Sequence, residues 1–353
     1  MRQTWLSRSG SGPDHFTYAT QQGRPVGARR AAQIDALAIP PAWTDVHIAA
    51  SDRAAIQAWG FDARGRKQYR YHPSAVKRGQ RRKYYRVRQM ARDLPAIRRR
   101  VYTDFRGTKM TRSKVCAAIV RLLADGFFRI GNDRYAKENG TFGLTTLRKS
   151  HVTVDGDRIV FDFVGKRSIR HRRDVFSHDL ARFVESMLTT PGRRLFRYQD
   201  EAGDWRNIES AQVNQYIREI AGFPYSAKDF RTWGGTLRAA TVLSDIGAAD
   251  SEREAKRNVA LAVRLVAAEL GNTPTICRKS YVHPVVVERY LSDGDTIHVA
   301  QRPAHRAAGS AGHAVRTGRA PAPGSRTPEE RALIEFLDLH FPDRRKRRRS
   351  APE

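Results

Sequence analysis

Four short segments carry the residue types that can act on a phosphate ester, namely forked or pointed cations and an ionisable hydroxyl. Residues 128–147 open with Phe128-Arg129-Ile130-Gly131, and residues 163–168 hold Gly165-Lys166. Residues 228–236 read Lys228-Asp229-Phe230-Arg231-Thr232-Trp233-Gly234-Gly235-Thr236. Residues 270–284 run from Leu270-Gly271-Asn272 to Lys279-Ser280-Tyr281-Val282-His283-Pro284. Other chemistries lack their signatures. There is no Walker P-loop sequence, no Cys/His cluster with zinc spacing, and no His-Glu-x-x-His or paired-Asp metal motif. An enzyme of nucleic acid built this way must draw its nucleophile from a side chain and its charge stabilisation from Arg and Lys.

Charge points to the partner. Lys and Arg number 65 against 36 Asp and Glu, a formal net charge of +29, and the sequence pI is near 11.0. Such an excess repels itself in a compact chain and suits a polyanion, so binding should weaken steeply with salt. A ribosome-associated or merely soluble basic protein would share the composition. The 353 residues, 40% hydrophobic, suffice for one domain of ordinary size and a second smaller one. Cys116 and Cys277 read as free thiols of a reducing compartment. The Met1-Arg2-Gln3-Thr4 start has no signal-peptide pattern, and no apolar run is long enough to span a membrane. A soluble, intracellular protein is expected.

These segments need elements to hold them. Residues 1–30 are polar and Gly-containing, an expected irregular lead-in, and Ile39-Pro40-Pro41-Ala42-Trp43 breaks the chain further on. Residues 54–72 predict a hairpin turning at Asp62-Ala63-Arg64-Gly65, with Tyr69 and Tyr71 on one face and Gln68, Arg70 and His72 on the other. The two tyrosines could be half of a small sheet's core, or polar-tipped contacts to bases and sugars. Residues 76–100, Arg- and Lys-rich, predict a helix ended or kinked at Pro95. From about 112 a helix is predicted by Val115, Ala118, Ile119, Leu122 and Leu123. Residues 151–164 alternate about Asp155-Gly156, a hairpin. Helices are expected over 174–188, 210–221, 229–246 and 251–270. Residues 301–325 have linker composition, 327–340 a short amphipathic helix, and Arg344 to Arg349 a basic run. The expected domains are a lead-in at 1–30, a β-rich DNA-binding domain at 31–90, a catalytic domain at 91–298, and a linker, helix and tail at 299–353.

Each candidate also has a plain structural role open to it. Arg129 could complement a helix end, Lys166 could be a polar hairpin exit, and Asn272 after Gly271 suits a helix stop.

Taken together, in this order and spacing, the four segments resemble the type IB DNA topoisomerases, especially the small bacterial and poxvirus-like branch. The resemblance spans about residues 35–295, including residues 39–43 and Gln68-Tyr69-Arg70-Tyr71. It implies an α+β protein, with a small β-rich N-terminal domain and a larger, mainly helical catalytic domain forming a C-shaped clamp around duplex DNA. It implies Tyr281 as nucleophile, leaving a 3′-phosphotyrosyl bond and a free 5′-hydroxyl. Arg129 and Arg231 would fork onto the non-bridging oxygens, and Lys166 would protonate the leaving 5′-oxygen. Asn272 stands nine positions before Tyr281, where eukaryotic and viral relatives typically carry His. An amide can donate to a phosphate oxygen but cannot shuttle a proton. Gln68, Tyr69, Tyr71, Tyr135 and Lys228 would contact DNA, and His171 and His283 have no assigned role. No cofactor is implied, neither ATP nor a required Mg²⁺, and the expected state is a cytoplasmic, nucleoid-associated monomer.

Two other functions compete. A tyrosine recombinase shares the Arg, Lys, Arg, Tyr constellation, but usually shows His-x-x-Arg where this chain has Lys228-Asp229-Phe230-Arg231. A non-catalytic DNA-binding protein fits the charge, but leaves the intact tyrosine and its cationic company unexplained.

Overall fold

The computed structural model describes residues 4–10, 16–299 and 323–341. They pack as two compact units, Met1–Tyr84 and Tyr85–Glu353.

The first unit is an antiparallel sheet covered by one helix. Its elements are β1 (Trp5–Ser9), β2 (Thr17–Ala19), α1 (Ala28–Asp35), β3 (Thr44–Ala49), β4 (Ile56–Phe61) and β5 (Lys67–Tyr71). The strand order is β2-β1-β3-β4-β5. Leu6, Ile34, Val46, Ile48 and Ala58 form its core, so α1 packs through Ile34. The expected β4–β5 hairpin is present, its turn held by Asp62 Oδ1, which accepts from the Arg64 and Arg66 amides at 3.0 Å. The expected irregular lead-in is corrected. Within residues 1–30, β1 lies between β2 and β3 and buries Leu6. One buried residue in a five-residue strand leaves no alternation to detect.

A 33-residue helix, α2 (Pro73–Phe105), runs through Pro95 without ending there. Proline lacks the N–H that would bond the carbonyl four residues back. That carbonyl belongs to Ala91, and Arg326 Nε donates to it at 3.4 Å while Arg326 Nη2 donates to Arg92 O at 2.7 Å.

The second unit is mainly helical, with α3 (Arg112–Gly126) at its centre. The predicted face of α3, from Val115 to Leu123, is buried throughout. Next come α4 (Asp133–Asn139) and a sheet of β6 (Val152–Asp155), β7 (Arg158–Val164) and β8 (Arg170–Phe176) in the order β6-β7-β8. The helix expected from 174 therefore starts later, as α5 (His178–Leu188), because residues 170–176 pair with β7. The remainder is β9 (Arg197–Gln199), β10 (Trp205–Asn207), α6 (Ser210–Ala221), α7 (Ala227–Ile246), α8 (Glu252–Leu270), α9 (Pro274–Ser280), α10 (Pro284–Asp293) and α11 (Pro328–His340). The chain is thus α+β, a small β-rich N-terminal domain followed by a helical core. No helix among the described residues is long and apolar enough to cross a membrane.

α11 belongs to this core and is no loose appendage. Ala332, Leu333, Phe336 and Leu337 join the main cluster, and Arg98 meets Glu330 through bonds of 2.8 and 2.6 Å. Most of the expected linker, residues 301–322, and the run Arg344 to Arg349 lie outside the described residues. Leu337→Ala should destabilise the full chain by about 2–5 kcal/mol, the cost of a buried leucine truncation. Urea denaturation checks this, and a loss below about 0.5 kcal/mol, the scale of a surface substitution, would show that α11 is not core.

Candidate active site

Two helix ends meet at the centre of the second unit. α3 stops where Phe127 turns left-handed (φ 52), and α8 stops at Gly271 (φ 58). The last carbonyls of a helix have no partner within it and form the negative end of its dipole. Here they are taken by arginines. Arg173, from β8, donates to Gly126 O at 2.8 Å and to Glu269 O at 2.5 Å. Arg231, from α7, donates to Phe127 O and, at 2.8 Å, to Leu270 O. Arg129 donates to Gly271 O at 2.8 Å and to Asn272 Oδ1 at 2.6 Å.

Local sequence explains how each arrives. α7 starts on a capping box in which the Ser226 amide donates to Asp229 Oδ2 at 2.8 Å, and Arg231 lies in its first turns. Gly234 and Gly235 then keep two neighbouring flanks of α7 bare. A Cβ on Gly234 would sit 2.1 Å from the Phe127 ring, and one on Gly235 would sit 2.9 Å from the Tyr281 carbonyl oxygen. Arg129 is held by backbone pairing of its own segment with residues 143–145, Leu144 N to Arg129 O at 3.0 Å and Thr145 N to Ile130 O at 2.8 Å. Gly143 permits this approach, since a Cβ there would lie 2.6 Å from Gly131 N.

Arg173 and Arg231 are buried and Arg129 half-buried; burial lowers the pKa of each, and repulsion adds to it, from Arg167 at Arg129, from Arg129 at Arg173, and from Arg129 and Arg173 at Arg231. A guanidinium keeps its charge regardless. Among the described residues none of the three has an ion-pair partner, so the cluster presents uncompensated positive charge. Asn272 turns its Oδ1 to Arg129, which leaves Nδ2 a buried donor without a partner.

Tyr281 follows α9, which Thr273 caps and Pro274 begins. Its amide donates to Cys277 O at 2.8 Å, and the Arg231 guanidinium carbon is 5.3 Å from its ring centroid. Thr236 pins the loop. Its hydroxyl faces Thr232 O at 2.8 Å and Tyr281 O at 3.2 Å, and accepts from the His283 amide at 3.1 Å.

Arg129, Arg231, Asn272 and Tyr281 are thus one constellation. Lys166 stands apart. It is exposed at the β7–β8 turn, where Gly165 N bonds Ile169 O at 2.8 Å and Arg167 and Ser168 both have positive φ, 65 and 57. Lys228 is exposed one turn before Arg231, and Tyr135 is exposed on α4. In the first unit Tyr69 and Tyr71 are solvent-facing and stacked at 5.7 Å, so they are not core. Gln68 points to the other face, its Nε2 donating to Asp62 Oδ2 at 2.9 Å. Among the described residues no three His, Cys, Asp or Glu side chains gather where a metal ion could be held.

Sequence reasoning missed Arg173, Thr236 and an aromatic row beside Tyr69. In that row His47 stacks on Trp59 at 3.9 Å, and Lys67 Nζ lies 3.4 Å from the Trp59 centroid. Arg173 alternates with His171 and Val175 on the buried face of β8, a signal available once 170–176 is seen as a strand.

Residues 73–306 match the family described as eukaryotic DNA topoisomerase I, catalytic core, and residues 15–62 match the bacterial DNA topoisomerase IB N-terminal domain. The chain belongs to the type IB DNA topoisomerases. Among similar proteins is DNA topoisomerase 1B of Acanthamoeba polyphaga mimivirus, 29% identical over 82% of this chain and 88% of the relative. DNA topoisomerase 1B of vaccinia virus (strain Copenhagen) is 27% identical over 65% of this chain and 70% of its own. DNA topoisomerase 1 of Daucus carota is 28% identical over 44% of this chain but only 19% of its own. The recombinase alternative falls with this assignment.

In this topoisomerase His171 is a buried neutral base. Burial first, then Arg173, Arg129 and Arg231, push its pKa down from 6.5 to about 4. The unfolded chain therefore takes up the proton first as pH falls, so stability contributed at neutral pH is lost between about 6.5 and 4. From pH 7.5 to 4.5 that loss is roughly 2–3 kcal/mol. Denaturant titrations of wild type and His171→Gln at both pH values isolate it. The wild type should lose that much more than the variant, and equal losses would show that His171 is not held neutral.

Proposed function

We propose that this type IB topoisomerase cuts one strand of duplex DNA with Tyr281, lets the free end rotate, and reseals it. The observation that carries this is an arginine cluster with no ion-pair partner among the described residues, set beside a tyrosine, with Arg231 against the Tyr281 ring and Arg129 tied to Asn272. Tyr281 Oη bonds to phosphorus and its proton leaves to solvent. The P–O5′ bond breaks, and Lys166 gives a proton to the departing oxygen. Arg129, Arg231 and the free Asn272 Nδ2 meet the two non-bridging oxygens as their charge grows. The phosphotyrosyl ester keeps the energy of the broken bond, so religation needs no ATP. The cations fill the role that a metal ion plays in other nucleases, so Mg²⁺ is not required.

Tyr135 and Lys228 contact the backbone near the break, and Tyr69 and Tyr71 meet the groove through their exposed edges. Gln68 has a weaker claim, given its bond to Asp62. The protein acts as a monomer on chromosomal DNA of the cytoplasm.

Tyr281→Phe should abolish plasmid relaxation while leaving duplex affinity within about threefold, since one hydroxyl is lost among many phosphate contacts. Assays run in chelator, without ATP, check both halves. A persistent covalent adduct in the variant, or wild-type inactivity in chelator, would overturn the mechanism. Asn272→Ala should slow cleavage by about 10²-fold, the scale of one oxyanion donor, whereas Asn272→His should keep substantial activity. Single-turnover cleavage reads this, and an Ala variant as fast as wild type would make Asn272 only a turn residue.

A further inference from the structure

We infer that His171 is a positioning residue whose imidazole wedges the Lys166 hairpin against the turn that carries Asn272. The inference rests on the cleavage reaction proposed above. β8 sets His171 opposite Phe163 on β7, with ring centroids 5.4 Å apart, and leaves it 8% exposed. Two glycines make room for the ring. A Cβ on Gly165 would lie 2.5 Å from His171 Cδ2 and 2.7 Å from Nε2. A Cβ on Gly271 would lie 2.2 Å from Cε1. Neither distance is tolerable for a real side chain, so the ring rests directly on two bare stretches of backbone.

Those two stretches are the ones the reaction uses. Gly165 precedes Lys166, and Gly271 precedes Asn272 while its carbonyl accepts from Arg129 at 2.8 Å. Among the described residues the Lys166 side chain makes no hydrogen bond of its own. The place of its backbone is therefore set by the turn and by what the turn rests on.

The two glycines differ in a way that makes the idea testable. Gly271 ends α8 with φ 58, a conformation that favours glycine whatever lies nearby. Gly165 has φ −102, open to any residue, and after the His171 ring the nearest atom to its Cβ would be Ile169 O at an ordinary 3.6 Å. The need for glycine at 165 therefore comes from the imidazole alone. The alternative is that His171 merely fills space in the core. In that case its loss would lower stability without singling out the leaving-group step.

The test is a double-mutant cycle on the full chain, read as single-turnover covalent-adduct formation on a defined duplex. Each variant is run with the natural 5′-oxygen and with a bridging 5′-sulfur, which departs without a proton. Gly165→Ala should slow cleavage about 10²-fold by displacing Lys166. His171→Ala should slow it about tenfold, and the double variant should match His171→Ala, since the added methyl no longer meets a ring. The sulfur ester should restore most of the Gly165→Ala rate. Duplex affinity should not change. If thermal melting shows His171→Ala unfolded, His171→Asn, shorter and still planar, carries the same cycle. A Gly165→Ala defect undiminished in the His171 variant, or unmoved by sulfur, would overturn the wedge while leaving the reaction standing. A wild type that forms no adduct at all would overturn the reaction, and the wedge with it.

Discussion

Two buried guanidinium groups, Arg173 and Arg231, and the half-buried Arg129, without ion-pair partners among the described residues, are the constraint around which the second unit is arranged. Removing such cations from water is costly unless their hydrogen bonds are met. The chain meets most of them with the unsatisfied carbonyls at the ends of α3 and α8, spanning Gly126 to Gly271, and leaves Arg231 Nε buried without a partner. Each carbonyl brings partial negative charge, enough to hold a cation and not enough to neutralise it. A carboxylate would have discharged the site. Carbonyls leave it electropositive and rigid, suited to an anion that must bind and then gain charge.

That arrangement explains why small residues recur where they do. Gly234 and Gly235 let α7 take Phe127 on one flank and the Tyr281 backbone on another, and Gly143 lets the Arg129 segment pair closely. Thr236, next along α7, ties Tyr281 and His283 to the helix that carries Arg231. The Tyr281 backbone is thus tied to α7, five residues along that helix from Arg231.

Much of this was legible in the sequence, for identifiable reasons. The periodic face of α3 and the Asp155-Gly156 hairpin announce themselves through apolar spacing and turn chemistry, and four of the five expected catalytic side chains converge. β8 escaped because its buried positions are His171, Arg173 and Val175, so its inward face reads as charged surface. β1 escaped because it buries only Leu6. Pro95 does not end α2, and Arg326, distant in sequence, meets the carbonyl it orphans. Lys166 could be chosen by type and neighbours, but nothing local showed that its turn rests on the rest of the site through an imidazole.

The guanidinium fork of Arg231 bonds the carbonyls at both helix ends, and the proposed reaction asks it to meet a phosphate as well. Arg231→Lys keeps the charge and loses the planar, multi-donor geometry. Single-turnover cleavage of a defined duplex by this variant is the direct test. A fall of about 10²-fold or more in adduct formation, with duplex affinity nearly unchanged, is the predicted result. Cleavage within a few fold of wild type would contradict the proposed role of Arg231, because a point charge would then suffice where a fork is proposed.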